Sequence, residues 1–531
     1  MSGCQGTERR FAARRPTYAM RLHEWGTRIF FLAIVMVLVG CRGRVEDPGT
    51  VVMILESSPT NLDLRQGTDA QSEFVGGLIF DALVKKDEHF NLQPWLATSW
   101  EQPDRLTWVF HLRDGVRFQD GRPLGAKDVA YTIRSMIDGT LVTAKGGAFS
   151  SVEKVEVEGP LTLRVRLKRP DAALLFNMSD GLFGVVPVGA GKDFGLHPMG
   201  SGPFRFLSAV QDKEVIVERN AGYWAGPAKI ERVRFSVVPD AITAALELKK
   251  GSADLASNVV TLDMVHELAK EPGLKVESGP SSRVIYTNFN VTDPVLKDKR
   301  VRQAVACAMD RQAIVNAIWR GEAQLADTLL PPGHWAAAGP GEMAPYPHDV
   351  ERAKRLLEAA GLHAGKDGMR IRITLKTSTD ETTRLMAAVL QQQLRSAGID
   401  LQIRSAEFGT FYSDVTKGAF QMYALRWIGS NEDPDIFRYV FGSDRFPPKG
   451  GNRGRYVNPQ VDALMKAAGN TTDREEQRRD YVEVQRILAD ELPGIPLWYP
   501  NNDVVHSTRL TNVKPQISGN FDFLREAELR R

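Results

Sequence analysis

The most constraining stretch of this 531-residue chain runs from residue 369 to residue 405. Residues 369–375, MRIRITL, strictly alternate apolar and polar side chains, which is the pattern of a strand with one buried face. Residues 381–398 then read as a helix that ends at a glycine, and residues 399–405, IDLQIRS, read as a second strand. A crossover of this length joins parallel strands with right-handed connection, so the stretch predicts an α/β fold.

A further predicted strand delivers a polar motif to the same sheet. Residues 420–427, FQMYALRW, run directly into RWIGSNEDPDIF at 426–437. Open α/β sheets hold ligands at the carboxyl ends of their strands, so we expect this motif to line a site. Its carboxylates Glu432, Asp433 and Asp435 could bind a metal, carry out acid/base chemistry or line a binding cleft.

The rest of the chain alternates strand-like and helix-like segments without internal repeats, and its length suits two or three domains. Residues 73–87, EFVGGLIFDALVKKD, read as a helix interrupted by glycines. Residues 349–361 read as an amphipathic helix with Asp349 as its N-cap and Gly361 at its end.

The N-terminus predicts export. Residues 28–41 form an apolar run that is too short to span a bilayer comfortably and has the length of a signal-peptide core. Its last four residues, Leu38-Val39-Gly40-Cys41, resemble a bacterial lipobox, which predicts lipidation of Cys41; an N-terminal anchor with an incidental cysteine is the alternative. Residues 1–41 are therefore read as leader and signal peptide, with the true start at Met20.

Charge and cysteine content exclude several classes. The whole chain carries +3, but residues 1–41 hold six arginines and two glutamates, so the mature chain carries −1 and a nucleic-acid partner is not expected. Of the three cysteines, only Cys307 would remain as a free thiol, which excludes an internal disulfide or a cysteine metal site. The sequence contains no H-E-x-x-H or G-x-S-x-G motif, and we expect no enzyme, metal or cofactor.

Motifs spread along the mature chain resemble solute-binding protein family 5, the extracytoplasmic receptors of peptide/nickel-type ABC importers. They occur in the family's order: LQPWLATSWE (92–101), FHLRDGVRFQDGRPLGAKDV (110–129), PMGSGPFRF (198–206), ERNAGYWAG (218–226), ALELKKGSADL (245–255), DKRVRQAVACAMDRQAIV (298–315) and NPQVDALM (458–465).

The resemblance implies a bilobal periplasmic-binding-protein-like fold of class II, cluster C type, with an additional inserted domain. Two crossovers, near residues 286–290 and 497–502, would act as a hinge that closes on the ligand. The implied domains are lobe I (45–75, 199–285 and 500–531), the inserted domain II (76–198) and lobe III (286–499).

The resemblance also implies partners and location. We expect a monomer that is lipid-anchored to a bacterial membrane, periplasmic or otherwise extracytoplasmic, and that delivers a small peptide or peptide-like solute to an ABC permease with its ATPase. The alternatives are a receptor of the same fold for a nickel chelate, haem, opine or oligosaccharide, and a surface lipoprotein with a signalling role.

In the family, the pattern W-x-x-x-x-x-D-P lines the cleft, and peptide-binding members carry an Asp three residues after the Trp that pairs with the peptide ammonium. Here Trp427 matches the Trp, but the Asp position is Ser430. The ligand therefore lacks a free α-amine, or Glu432 or Asp433 supplies the charge. Asp433 and its neighbours could equally serve only to form a turn.

Trp427 offers a flat apolar wall with one hydrogen-bond donor, although a core Trp behind the cleft is the alternative. The other ligand-binding candidates come from the same resemblance. They are Thr68, Asp69 and Ala70 in lobe I, with Asn288, Arg426, Asn431, Trp498 and Tyr499 near the hinge or cleft.

Overall fold

The computed structural model describes residues 49–343, 346–427 and 429–530. The predicted signal peptide, the start at Met20 and the lipidation of Cys41 lie outside these residues. Within them, three larger β-sheets and the helices around them enclose separate apolar cores. No helix in these ranges is long and apolar enough to cross a membrane.

A seven-stranded sheet is built from both ends of the described chain. Its central strand, Thr50–Leu55, pairs in parallel with both neighbours, whereas the other pairings are antiparallel. Val51 and Met53 enter one core and Val52 and Ile54 enter another, so both faces of the sheet are covered. The strand order is Leu274–Gly279, Asn502–Ser507, Leu255–Ser257, Thr50–Leu55, Arg232–Val237, Glu214–Arg219, Phe204–Val210.

A six-stranded sheet contains the predicted crossover. Ile371–Ser378 pairs in parallel with Ile399–Ala406 and with Met422–Trp427, and helix Glu381–Arg395 connects the first two, which confirms the predicted strand–helix–strand unit. The remaining pairings are antiparallel. The strand order is Ala323–Leu325, Gly494–Pro500, Val284–Phe289, Met422–Trp427, Ile371–Ser378, Ile399–Ala406.

A four-stranded antiparallel sheet has its own core and packs against helix Ala126–Ile137. Its strands, in spatial order, are Ala97–Asp104, Thr107–Leu112, Thr162–Leu167 and Val152–Gly159. Two small hairpin-like sheets pair Val84–Lys86 with Leu92–Pro94 and Leu510–Thr511 with Glu528–Leu529.

The predicted helix at 73–87 is wrong in its second half. The helix spans Ala70–Ile79, and the chain becomes extended at Phe80 before it enters strand Val84–Lys86. Val84 is fully buried in the core of the four-stranded sheet and pairs with Pro94, so tertiary pairing overrides the local helical preference.

The helix predicted at 349–361 is confirmed as Val350–Ala359. The Asp349 carboxylate accepts from Arg352 N at 2.7 Å, and Gly361 follows the helix with φ +80°. The other α-helices of the described residues are Ala241–Lys250, Leu262–Leu268, Lys299–Ala308, Arg311–Ala317, Phe408–Lys417, Ile436–Phe441, Pro459–Asn470 and Arg474–Glu491.

The chain crosses between the two large sheets at two neighbouring points. Residues 280–283 lead from Leu274–Gly279 into Val284–Phe289, and Asn501 leads from Gly494–Pro500 back into Asn502–Ser507. The crossings touch, because Arg283 Nη2 donates to the carbonyl oxygen of Asn501 at 2.7 Å.

Candidate functional site

The candidate site lies at the carboxyl edge of the six-stranded sheet. The three parallel strands of this sheet end together at Ser378, Ala406 and Trp427. Loops that follow parallel strands meet at one edge, which is where open α/β sheets bind ligands. The edge is therefore the place at which the residues after Trp427 can meet a solute.

Trp427 forms an aromatic wall at this edge. Its ring stacks on Tyr286 with a centroid distance of 5.7 Å and an interplanar angle of 4°, and the Tyr439 ring meets it edge-on at 6.0 Å. The side chain is half-buried, and its Nε1 donor is buried without an acceptor among the described residues. Trp427 thus presents both a flat surface and an unused donor.

A buried arginine that sequence reasoning missed lies against this wall. The Arg453 guanidinium lies 5.2 Å from the ring centroids of both Trp427 and Tyr412. Its Nη1 donates to the Tyr286 hydroxyl at 3.3 Å, and its Nη2 donates to the Tyr412 hydroxyl at 3.0 Å. Only 5% of Arg453 is exposed, so a charge is held among aromatic rings.

The glycines beside Arg453 allow its loop to approach the wall. A Cβ at Gly451 would lie 2.7 Å from Tyr439 Cε1 and 3.4 Å from Trp427 Cη2, and one at Gly454 would lie 2.5 Å from the Phe289 carbonyl oxygen. The only sequence signal for this contact is the glycine-rich stretch GGNRGRY at 450–456, which does not by itself indicate a site.

Two residues, Glu432 and Asn431, hold the loop that follows Trp427 in place. Glu432 Oε2 lies 2.8 Å from Lys86 Nζ, and its Oε1 accepts from Ser282 Oγ at 2.9 Å. Asn431 is fully buried, and its Nδ2 donates to the carbonyls of Ser282 and Leu329 at 2.6 and 2.9 Å. Glu432 is already neutralised by Lys86, so it does not supply a free negative charge.

Asp433 forms a turn and lines a cavity. Its Oδ1 accepts from Asp435 N at 2.7 Å, which forms a turn. Burial, reinforced by the neighbouring Asp435 carboxylate, raises the pKa of Asp433 to about 7, and burial raises the pKa of Asp435 to about 6. Both residues line a cavity of about 600 Å³ that Asp171 and Arg474 also line.

Ser430 begins a short 3₁₀ turn, Ser430–Glu432, directly after Gly429. Arg426 is exposed at the end of its strand. Arg283 is half-buried nearby, and its Nη2 donates to Asn258 Oδ1 at 3.1 Å as well as to Asn501. Burial, with Arg426 as the next contribution, lowers the pKa of Arg283 to about 10, so it stays charged at neutral pH.

The candidates Thr68, Asp69 and Ala70 lie at the start of helix Ala70–Ile79. Asp69 caps helix Ala70–Ile79 by accepting from Ser72 N at 2.9 Å, and it also accepts from Thr60 N at 3.3 Å. Burial acts to raise the pKa of Asp69, but the hydrogen bonds from Ser72 and Thr60 outweigh it and hold that pKa below its usual value. Thr68 is exposed and Ala70 is half-buried.

The remaining candidates lie inside the six-stranded sheet. Trp498 is fully buried and donates from Nε1 to the Arg311 carbonyl at 3.0 Å. The buried Tyr499 hydroxyl donates to the Thr328 carbonyl at 2.5 Å. Asn288 is also buried, and its Nδ2 donates to the Tyr423 hydroxyl at 3.3 Å. All three side chains are thus buried and hydrogen-bonded within the protein.

Comparison with known proteins agrees with the resemblance found in the sequence. The family model for bacterial extracellular solute-binding proteins, family 5 Middle, matches residues 91–447. The glutathione-binding protein GsiB of Salmonella typhi is 30% identical over 487 residues, which cover 89% of this chain and 93% of GsiB.

Two solved structures share the fold. Oligopeptide-binding protein AppA of Bacillus subtilis, in complex with a nonapeptide, has 26% identity and a TM-score of 0.73, covering 91% of this chain and 99% of AppA. NikZ of Campylobacter jejuni, in complex with Ni(L-His), has 25% identity and a TM-score of 0.77, covering 91% of this chain and 100% of NikZ. The predicted bilobal fold is thereby confirmed, and the chain belongs to the bacterial extracellular solute-binding proteins, family 5.

Proposed function

We propose that this chain is the extracytoplasmic receptor of an ABC importer, which encloses a peptide or peptide-like solute and delivers it to a permease with its ATPase. The observation that carries the proposal is the pair of adjacent crossings, residues 280–283 and Asn501, beside the carboxyl edge at Trp427. Two bodies joined at one place can rotate about it and close on a solute. The relatives named for glutathione and oligopeptides support a peptide-like ligand.

In the same proposal, lobe I comprises residues 45–75, 199–285 and 500–531. Lobe III comprises residues 286–499, and residues 76–198 form the inserted domain II. The protein binds without chemical turnover, as a monomer held at a bacterial membrane by a lipid on Cys41. The acidic residues after Trp427 suit binding rather than catalysis, because Glu432 is paired with Lys86 and Asp433 forms a turn.

Mass spectrometry of the solute released by denaturing protein from its native host tests this function. The expected result is a set of short peptides or one peptide-like compound. A uniform non-peptide compound, such as a metal chelate, would overturn the peptide assignment but leave the receptor. Steady conversion of the released solute into a product by the purified protein would overturn the receptor itself.

A further inference from the structure

The carboxyl edge at Trp427 is rich in positive charge. Arg283, Arg426 and Arg453 all lie on or beside the strands that end there, and no carboxylate forms an ion pair with any of them among residues 49–343, 346–427 and 429–530. Asp503 and Glu56 act on Arg283 only at longer range. The nearest acid in the loop, Glu432, is neutralised by Lys86.

Arg453 is the most constrained of the three. A guanidinium carries five N–H donors, and the described contacts of Arg453 use two of them on tyrosine hydroxyls, which carry no negative charge at neutral pH. Burial raises the pKa of Tyr286 well above its usual value, so this neighbour does not ionise. A buried cation without an opposite charge is costly, and an anion that reaches it is correspondingly favoured.

The Trp427 ring adds a second unused donor. Its Nε1 is buried without an acceptor in the described structure, on the ring that the Arg453 guanidinium faces at 5.2 Å. Arg453 and Trp427 therefore both have N–H donors to offer at this wall. A carboxylate matches the planar fork of an arginine, whereas an ammonium would meet donors and like charge. Ser430, at the position three residues after Trp427, brings no negative charge.

We infer that Arg453 receives a carboxylate of the solute at the Trp427 wall, which makes the preferred ligands acidic peptides or peptide-like acids. The inference rests on the proposed function and assigns the ligand class of that same site. Arg426 and Arg283 add to the positive field at the rim, and the Arg453 guanidinium lies 5.2 Å from the ring centroids of both Trp427 and Tyr412.

Affinity selection from an equimolar tripeptide library, read by mass spectrometry, tests the inference. The library contains each peptide as free acid and as C-terminal amide, and with Glu or Gln at each position. Wild-type protein is expected to retain carboxylate-bearing members about tenfold over their matched amides. Arg453→Gln should bring that ratio close to one. Arg453→Lys keeps the positive charge but lacks the planar pair of N–H donors, so it should retain part of the preference for carboxylates.

Arg395→Gln is the matched control, because Arg395 is exposed at the end of the crossover helix, at the opposite edge of the sheet. An unchanged ratio in a folded Arg453→Gln protein, or no preference for carboxylates in the wild type, overturns the inference. If the wild type retains no tripeptide, the charge and the chemistry of the co-purified solute decide. An anionic solute supports the role of Arg453, and a neutral or cationic one rejects it. A uniform non-peptide solute rejects the peptide assignment in either case.

Discussion

Lys86 Nζ lies 2.8 Å from Glu432 Oε2, and both side chains are almost completely buried. The pair ties the small hairpin Val84–Lys86 to the loop that follows Trp427. Ser282, at the first crossing between the large sheets, donates to the other oxygen of Glu432 at 2.9 Å. One carboxylate thus connects three parts of the chain that are distant in sequence.

Removing one partner of this pair should destabilise the protein strongly. Lys86→Met or Glu432→Gln alone leaves a buried charge without its partner, so each is expected to cost about 3–5 kcal/mol in the free energy of unfolding. The double variant Lys86→Met with Glu432→Gln should recover most of this loss, since it removes both charges of the pair. Urea denaturation of the four proteins measures the coupling, and additive losses would contradict it.

Asp433 should make stability depend on pH. Its folded pKa of about 7 lies above the usual value of 3.8, so folding favours the protonated form. The resulting stabilisation is complete below pH 3.8 and is lost as pH rises through about 7. Asp433→Asn retains an oxygen acceptor for Asp435 N and is expected to exceed wild type by about 1–3 kcal/mol at pH 8.

Urea denaturation at pH 5, 6.5 and 8 checks the Asp433 prediction, and the advantage of Asp433→Asn should shrink toward pH 5. Asp444→Asn, a change at another residue that lines the same cavity, serves as control and should keep the wild-type slope. An advantage that is constant across pH would show that charge at residue 433 is not its cause.

A methyl group at Gly451 should disturb the aromatic wall. The new Cβ would lie 2.7 Å from Tyr439 Cε1, so Gly451→Ala must displace that ring and is expected to lower stability by about 1–3 kcal/mol and solute affinity severalfold. Gly77→Ala is the control, because nothing lies within 4 Å of its Cβ, and it should be neutral or slightly stabilising. Thermal melts and calorimetric titration with the co-purified solute distinguish the two variants.

Ser430→Asp should shift selectivity between ligand classes. A carboxylate three residues after Trp427 would attract an ammonium and oppose a ligand carboxylate, so neutral peptides with a free amine should bind more tightly and acidic peptides more weakly. Competition between Ala-Ala-Ala and Ala-Glu-Glu measures the ratio, with Ser430→Asn as the uncharged control. Equal ratios in all three folded proteins would mean that the α-amine does not dock there.

Local pattern was enough to predict the parallel strands and the position of Trp427 at their carboxyl edge, because alternation and crossover length are properties of a continuous segment. The Lys86–Glu432 pair spans 346 residues, and the Arg453 contact depends on a loop that reads only as glycine-rich, so neither was visible in the sequence. Trp498 and Tyr499 were predicted to lie near the hinge or cleft. Their side chains point to opposite faces of strand Gly494–Pro500, where each is buried in a different apolar core. The residues that bind solute remain predictions.

The order of strands in the two large sheets limits when each sheet can be completed during synthesis. Asn502–Ser507 lies between Leu274–Gly279 and Leu255–Ser257, and Leu274–Gly279 pairs with no other strand of the sheet. All six strands of the other large sheet lie between residues 284 and 500. The last strands of the two sheets to be synthesised end at Pro500 and Ser507, so neither sheet is complete before residue 500 has been made. A chain of this topology therefore cannot complete either large sheet until almost all of it has been synthesised.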